Sequence, residues 1–217
     1  MDKPIDKYWN VRLQEVCENL NKNNFDAHVV ETSKAAKELV MNTILPQLDV
    51  KTIGFGGSMT LKDTGIFDAV CELEGVELLR SDLPELSSEE KIEVRRKSLL
   101  TDLFFTGTNA VTEDGTLVNL DMFGNRVAAL TFGPKHVIVL IGRNKIVPDL
   151  ETAMDRIKEY AAPVNTMRLD MKTPCRKTGV CADCSSPARI CNSWTINEKS
   201  FPKKRTIVVL VNEDLGF

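Results

Sequence analysis

The chain lacks any apolar run near the roughly 18 residues that a membrane-spanning helix needs, so no helical anchor is expected within its 217 residues. It also lacks a charge excess. Lys and Arg number 28 against 31 Asp and Glu, for a net charge of -3, and no basic patch is interleaved with aromatics. A dedicated nucleic-acid surface is therefore not expected. Met1 to Trp9 carries charges and Pro4 where a secretory leader would carry an apolar run, which points to a soluble, cytoplasmic protein. In that compartment six cysteines begin as thiols or metal ligands rather than disulfides. Histidine is scarce, with two in all, and His28 has no second histidine or cysteine nearby to make a ligand pair, so it is read as structural. The glycine-rich stretch GFGGS at 54–58 is neither a dinucleotide fingerprint nor a P-loop, because the third glycine of the one and the Gly-Lys-Ser/Thr tail of the other are missing.

Small, polar and acidic residues are concentrated in GTNAVTEDGTLVNLDMFGNR at 107–126, between two apolar segments that read as sheet core. Asp114-Gly115 is a strong turn signal because both residues tolerate positive φ, and Thr116 to Val118 reads as the strand leaving the turn. Glu113 thus sits at the mouth of a hairpin. Two readings stand for it, a solvated hairpin residue or a carboxylate facing a reactive space. Thr108 and Asn109 supply short polar side chains. Asp121, Asn125 and Arg126 follow close by, and the guanidinium of Arg126 suits either a structural pair with Asp121 or a bidentate grip on a substrate carboxylate.

The rest of the chain alternates between strand and helix patterns. Ile5 to Leu20 has apolar residues near helical spacing, and Cys17 beside that stripe reads as a buried thiol. Phe25 to Val30 is β-prone, and Thr32-Ser33 offers an N-cap for a helix stopped near Pro46. Thr52-Ile53 leads as a strand into Gly54, Gly56, Gly57 and a helix start at Ser58. Bare N–H groups there suit a phosphate, a carboxylate or an oxyanion, and the alternative is a tight turn that only glycine fits. Val76 to Leu79 reads as a strand. Ser87 to Glu90 reads as a capped helix start, and its later half carries Arg95, Arg96 and Lys97, where the helix dipole favours cations and one arginine is within reach of an anionic ligand. Strands at Leu103 to Phe105, His136 to Ile141 and Thr206 to Val211 and a helix at Glu151 to Tyr160 complete the pattern. The expectation is a single α/β domain over 1–217, with a mixed sheet covered by helices.

After Ala162-Pro163 the composition changes. A loop at about 173–192 holds Cys175, Cys181, Cys184 and Cys191 in a Cys-x5-Cys-x2-Cys-x6-Cys spacing. Four soft thiolates on a flexible segment suit an iron-sulfur cluster or tetrahedral zinc. The spacing matches neither set of standard patterns, so a site without metal stays open as a third reading.

GFGGSMT at 54–60, FFTGTNAVTEDGTLVNLD at 104–121, GNRVAAL at 124–130, GPKHVIVLIGRNKIVPDLETAMDRIK at 133–158 and TPC…GVCADCSSPARIC at 173–191 together resemble the LUD domain family, which is named for lactate utilisation and includes the C-type lactate utilisation protein. The resemblance implies a fold like that of CoA transferases, ribose-5-phosphate isomerase and glucosamine-6-phosphate deaminase. It also implies a place in oxidising L-lactate or a related 2-hydroxy acid together with iron-sulfur protein subunits, with a small anionic metabolite bound at the two glycine-rich loops. The transferase likeness, Glu113-Asp114-Gly115 with Gly54 to Gly57, implies an alternative in which Glu113 is the nucleophile of an acyl transfer or isomerisation. A third class is a non-catalytic partner or redox sensor.

Overall fold

In the computed structural model the described residues are 4–217; Met1 to Lys3 of the charged N-terminal run lie outside them. The elements follow in order as helix α1 (Pro4–Lys22), strand β1 (Asp26–Val30), α2 (Ser33–Leu39), β2 (Thr52–Phe55), α3 (Met59–Asp63), α4 (Ile66–Cys71), β3 (Glu77–Leu79), α5 (Ser88–Lys97), β4 (Leu103–Gly107), β5 (Ala110–Thr112) and β6 (Leu117–Asp121). They continue as α6 (Asn125–Thr131), β7 (His136–Gly142), β8 (Ile146–Val147), α7 (Leu150–Arg156), α8 (Ala162–Arg168), α9 (Pro174–Thr178), β9 (Ser193–Asn197) and β10 (Thr206–Val211).

Strands β4, β7 and β10 are nearly unbroken apolar runs, as strands covered on both faces must be. They form the centre of a six-stranded sheet ordered β1-β10-β7-β4-β2-β3, in which every pairing is parallel. The period of two along each strand divides the core. Val137, Val139 and Ile141 pack with Leu13, Val16 and Leu20 of α1, whereas Ile138 and Leu140 pack with Ala36, Val40, Leu61 and Ile66 on the opposite face. Side-chain caps start the helices where the sequence places them. Thr32 accepts from Ala35 N, Ser58 from Leu61 N, and Ser87 closes a full capping box with Glu90.

Two expectations change. The Asp114-Gly115 hairpin forms, with Gly115 at φ 85°, but it does not mix the main sheet. Beyond Gly107 the chain leaves that sheet, and β5 and β6 join β8 and β9 in a separate four-stranded sheet. The helix from Leu150 also does not end at Tyr160. A wide π-type turn at Ile157–Ala161 carries the chain on into α8, the widening falling where Pro163 supplies no N–H to a regular α-helical bond.

The start of β4 is clamped to β2 by one carboxylate. Asp102 accepts from Lys51 N at 2.9 Å, Thr52 N at 3.0 Å and Thr52 Oγ1 at 3.1 Å, and pairs with Lys135 Nζ at 2.7 Å. The Lys135 ammonium, followed by the Lys51 N–H, holds this carboxyl well below the usual carboxylate range. A lowered folded-state value stabilises the fold above the unfolded value of about 3.9, and that stability is lost as pH falls through the folded value. Asp102→Asn is expected to remove about 1.5–3 kcal/mol at neutral pH and to flatten the acid limb of the stability profile, as read by denaturant unfolding across pH.

Candidate functional site

A cavity of about 390 Å³ lies beyond the carboxyl ends of β2 and β4, between the two sheets. This is where open parallel sheets place ligands, because the chain leaves each strand there as a loop free to vary. Its walls combine the glycine loop after β2, the Gly107 to Asn109 exit from β4, the end of β6, the start of α6 and the inner side of α8.

Arg126 holds these parts together. Its guanidinium is buried, and all five of its N–H donors have acceptors. Nε donates to Asp121 Oδ2 at 3.1 Å, Nη1 to Gly107 O at 3.3 Å and Asn119 Oδ1 at 2.5 Å, and Nη2 to Asn109 Oδ1 at 2.8 Å and Leu120 O at 2.9 Å. No donor remains for a substrate carboxylate. Asp121 is equally committed, because its Oδ1 accepts from Phe123 N and Gly124 N in the turn that starts α6. Asn109 Oδ1 also accepts from Leu120 N. Of the two roles open to Arg126 in the sequence, the structure supplies the structural one.

The glycines divide in the same way. A Cβ on Gly56 would lie 2.8 Å from Thr106 Oγ1 and 3.0 Å from Arg126 Cγ, so its bareness serves the approach of Arg126. Gly54 sits within β2 against Ser98 and Phe104 and does not line the cavity. A Cβ on Gly57 would meet nothing within 4 Å, and this residue faces the cavity together with Ser58, Thr108 and Asn125.

Glu113 requires a correction. Asn109 and Asp121, at the open end of the β5–β6 hairpin, line the cavity, whereas Glu113 sits at the turn, beyond the length of β5 and about 13 Å from Asn109 at the strand rise. There its carboxylate pairs with Arg12, itself stacked beside Tyr8 and Trp9, and its carbonyl accepts from Asn19 Nδ2 at 2.8 Å. It anchors α1 to the hairpin and has no access to the cavity.

Several cavity residues carry no motif in the sequence. Lys145, in the single turn between β7 and β8, is 5% exposed, and its ammonium is pushed down to about 7, by burial first and then by Arg156 and Arg126. The only hint in the sequence is a basic Arg-Asn-Lys step wedged between the apolar runs of β7 and β8. Arg168 on α8 and Arg95 on α5 also line the cavity, and burial lowers both from their ordinary values. Arg95 stacks on Phe123 at 4.2 Å, so the basic trio of α5 does present one arginine here, while Arg96 faces Glu93 in solvent.

The cysteine loop forms a separate feature. Cys175, Cys181, Cys184 and Cys191 are unpaired, half-buried and line one small cavity of about 20 Å³. Arg189 organises the loop by donating to Cys184 O at 2.6 Å and Cys191 O at 2.9 Å, while Thr173 Oγ1 lies 3.3 Å from Cys175 Sγ. Among the described residues no three His, Cys, Asp or Glu side chains converge on one ion position. The loop gathers the four thiols without arranging them as the tetrahedral shell of a single ion.

Replacing Arg126 by Met is expected to cost about 3–5 kcal/mol in chemical denaturation, because it leaves the Asp121 carboxylate buried and unpaired. Adding Asp121→Asn to Arg126→Met is expected to recover part of that loss, and a double-mutant cycle with no coupling between the two sites would contradict the pairing.

Comparisons with known proteins bear on the family and the fold. No curated protein matches the chain. A crystal structure of a DUF162 family protein from Deinococcus radiodurans is similar in fold, with a TM-score of 0.52 and 15% sequence identity, covering 94% of this chain and 98% of that one. Among the described residues no helix is long and apolar enough to cross a membrane. The family model described as LUD domain matches residues 13–211, from the first core helix to the last sheet strand, and the chain therefore belongs to the LUD domain family, which is associated with lactate utilisation.

Proposed function

We propose that the cavity between the sheets binds a small organic acid of the 2-hydroxy or 2-oxo class, and that the chain serves lactate or related 2-hydroxy acid utilisation as one component beside iron-sulfur partners. The observation that carries this reading is an imbalance of charge. The acids lining the cavity are neutralised, Asp121 by Arg126 at 3.1 Å and Asp82 by Arg80 at 2.9 Å. Arg95, half-buried, and Arg168, more exposed, line the same space, with no carboxylate within ion-pair distance among the described residues. A guanidinium at a cavity wall without a counter-ion is a group that an incoming carboxylate can pair bidentately.

Shape supports the same class of ligand. The volume falls within the usual range for small-molecule sites, and Phe55, Leu61 and Ile157 add apolar lining to the arginines. A three-carbon acid fits and leaves space beside it. Family membership supplies the link to lactate, and the cationic lining supplies the reason a carboxylate would stay.

Titration calorimetry with lactate and pyruvate tests the reading. Arg95→Gln and Arg168→Gln are each expected to weaken binding by about 10- to 150-fold, the worth of one charge-assisted hydrogen bond of about 1.5–3 kcal/mol, with thermal stability unchanged. Affinity that is indifferent to both substitutions, or no binding of either acid at millimolar concentration, would sink it.

A further inference from the structure

We infer that Lys145 is a covalent catalytic residue of the cavity, whose amine condenses with the carbonyl carbon of a 2-oxo acid to form an imine. The inference rests on the cavity being an organic-acid site and names the chemistry performed there.

The hydrogen bonding around the amine comes first. Lys145 Nζ donates to Thr60 Oγ1 at 2.8 Å and Thr108 O at 3.1 Å, and these are its only hydrogen-bond acceptors among the described residues. Thr60 Oγ1 in turn donates to Leu215 O at 3.3 Å, which fixes it as an acceptor toward the lysine. A neutral amine places both of its N–H donors on these two oxygens, whereas the third N–H of an ammonium would find no protein acceptor. One tetrahedral position of Nζ is then free of protein, and Lys145 lines the cavity.

The charged groups around it agree. Arg126 from α6 and Arg156 from α7 oppose a proton on Nζ, Asp63 from α3 favours one, and no carboxylate reaches ion-pair distance among the described residues. Arg156 is fixed by donating to Asn109 O at 2.7 Å and Asn144 O at 3.2 Å, so it stays beside the lysine. The segment after β10 closes over the amine. Gly216 has φ +61°, and a Cβ on it would lie 2.7 Å from Thr60 Oγ1 and 3.4 Å from Lys145 Nζ. Buried lysines beside other cations are the ones that remain nucleophilic near neutral pH.

The step balances without a further reactant. The Nζ lone pair forms a bond to C2 as the carbonyl π bond breaks toward oxygen, giving a carbinolamine. Both amine hydrogens leave with that oxygen as water, and the C=N bond remains. General-base use would instead leave a proton on Nζ beside two guanidinium groups. Protonation of the imine places the charge next to the substrate's own carboxylate, and Arg95 and Arg168 line the same cavity.

The full chain is incubated with pyruvate and borohydride, and the products are read by intact mass and peptide mapping. One reduced adduct per chain, located at Lys145, is the expected result. Lactate with borohydride is expected to give none, because it has no carbonyl. Lys145→Met is expected to lose the adduct, and since the mapping is done on the unaltered protein, the outcome does not depend on that variant folding. Adduct spread over surface lysines, or absent, overturns the inference. Pyruvate binding in the calorimeter without adduct removes the imine and leaves the organic-acid site standing, whereas neither binding nor adduct removes both.

Discussion

One guanidinium with five acceptors is the constraint on which the rest of the cavity depends. Arg126 begins on α6, yet its partners come from the end of β4, the first residue before β5, and the middle and end of β6. It therefore ties the exit of the parallel sheet to the second sheet where the backbone first passes between them, from β4 to β5. Burying a full charge there is tolerable only because Asp121 and four further oxygens replace the water it lost. Gly56 is bare to let it approach, Asn109 and Asn119 turn their oxygens toward it, and Gly107 offers its carbonyl.

That commitment changes how the cavity works. A wall whose most conspicuous cation is already satisfied presents no net charge from that residue, so the electrostatic character of the space is set by groups from other elements. Arg95 comes from α5, Arg168 from α8 and Lys145 from the turn after β7. Each reaches the cavity from a different side. The frame is held by a closed polar network, and the working charges are those left outside it.

The elements with local signals were legible in the sequence. Thr32, Ser58 and Ser87 cap the helices they were expected to cap, since capping is decided within one turn of chain. The unbroken apolar runs became the central strands, since parallel strands need cover on both faces. Within the site, Gly57, Ser58, Thr108, Asn109, Asp121 and Asn125 do line the cavity. Glu113 is instructive because the hairpin was read correctly and its direction was not. Motif density marks a stretch, but only the pairing of β5 with β6 decides which end of it faces the cavity. Lys145 and Arg168 were invisible for the opposite reason. Each is a lone basic residue among ordinary neighbours, and its significance lies in its place on the cavity wall, which is a property of the assembled sheets. Strand β9 also escaped notice, because Ser193 to Asn197 follows the cysteine loop and gains its order from β6.

The position of β10 bears on how the molecule is made. Residues 206–211 lie between β1 and β7, so the strand at 26–30 hydrogen-bonds within the main sheet only to the stretch that leaves the ribosome last among the strands. During synthesis β7, β4, β2 and β3 can gather in sequence, while β1 and the helix that covers it wait with an unfilled slot beside β7. Closure of the sheet is thus a long-range event that joins Asp26 to Ile207. An unfilled slot of parallel edge is the part of the nascent chain with most to gain from a chaperone.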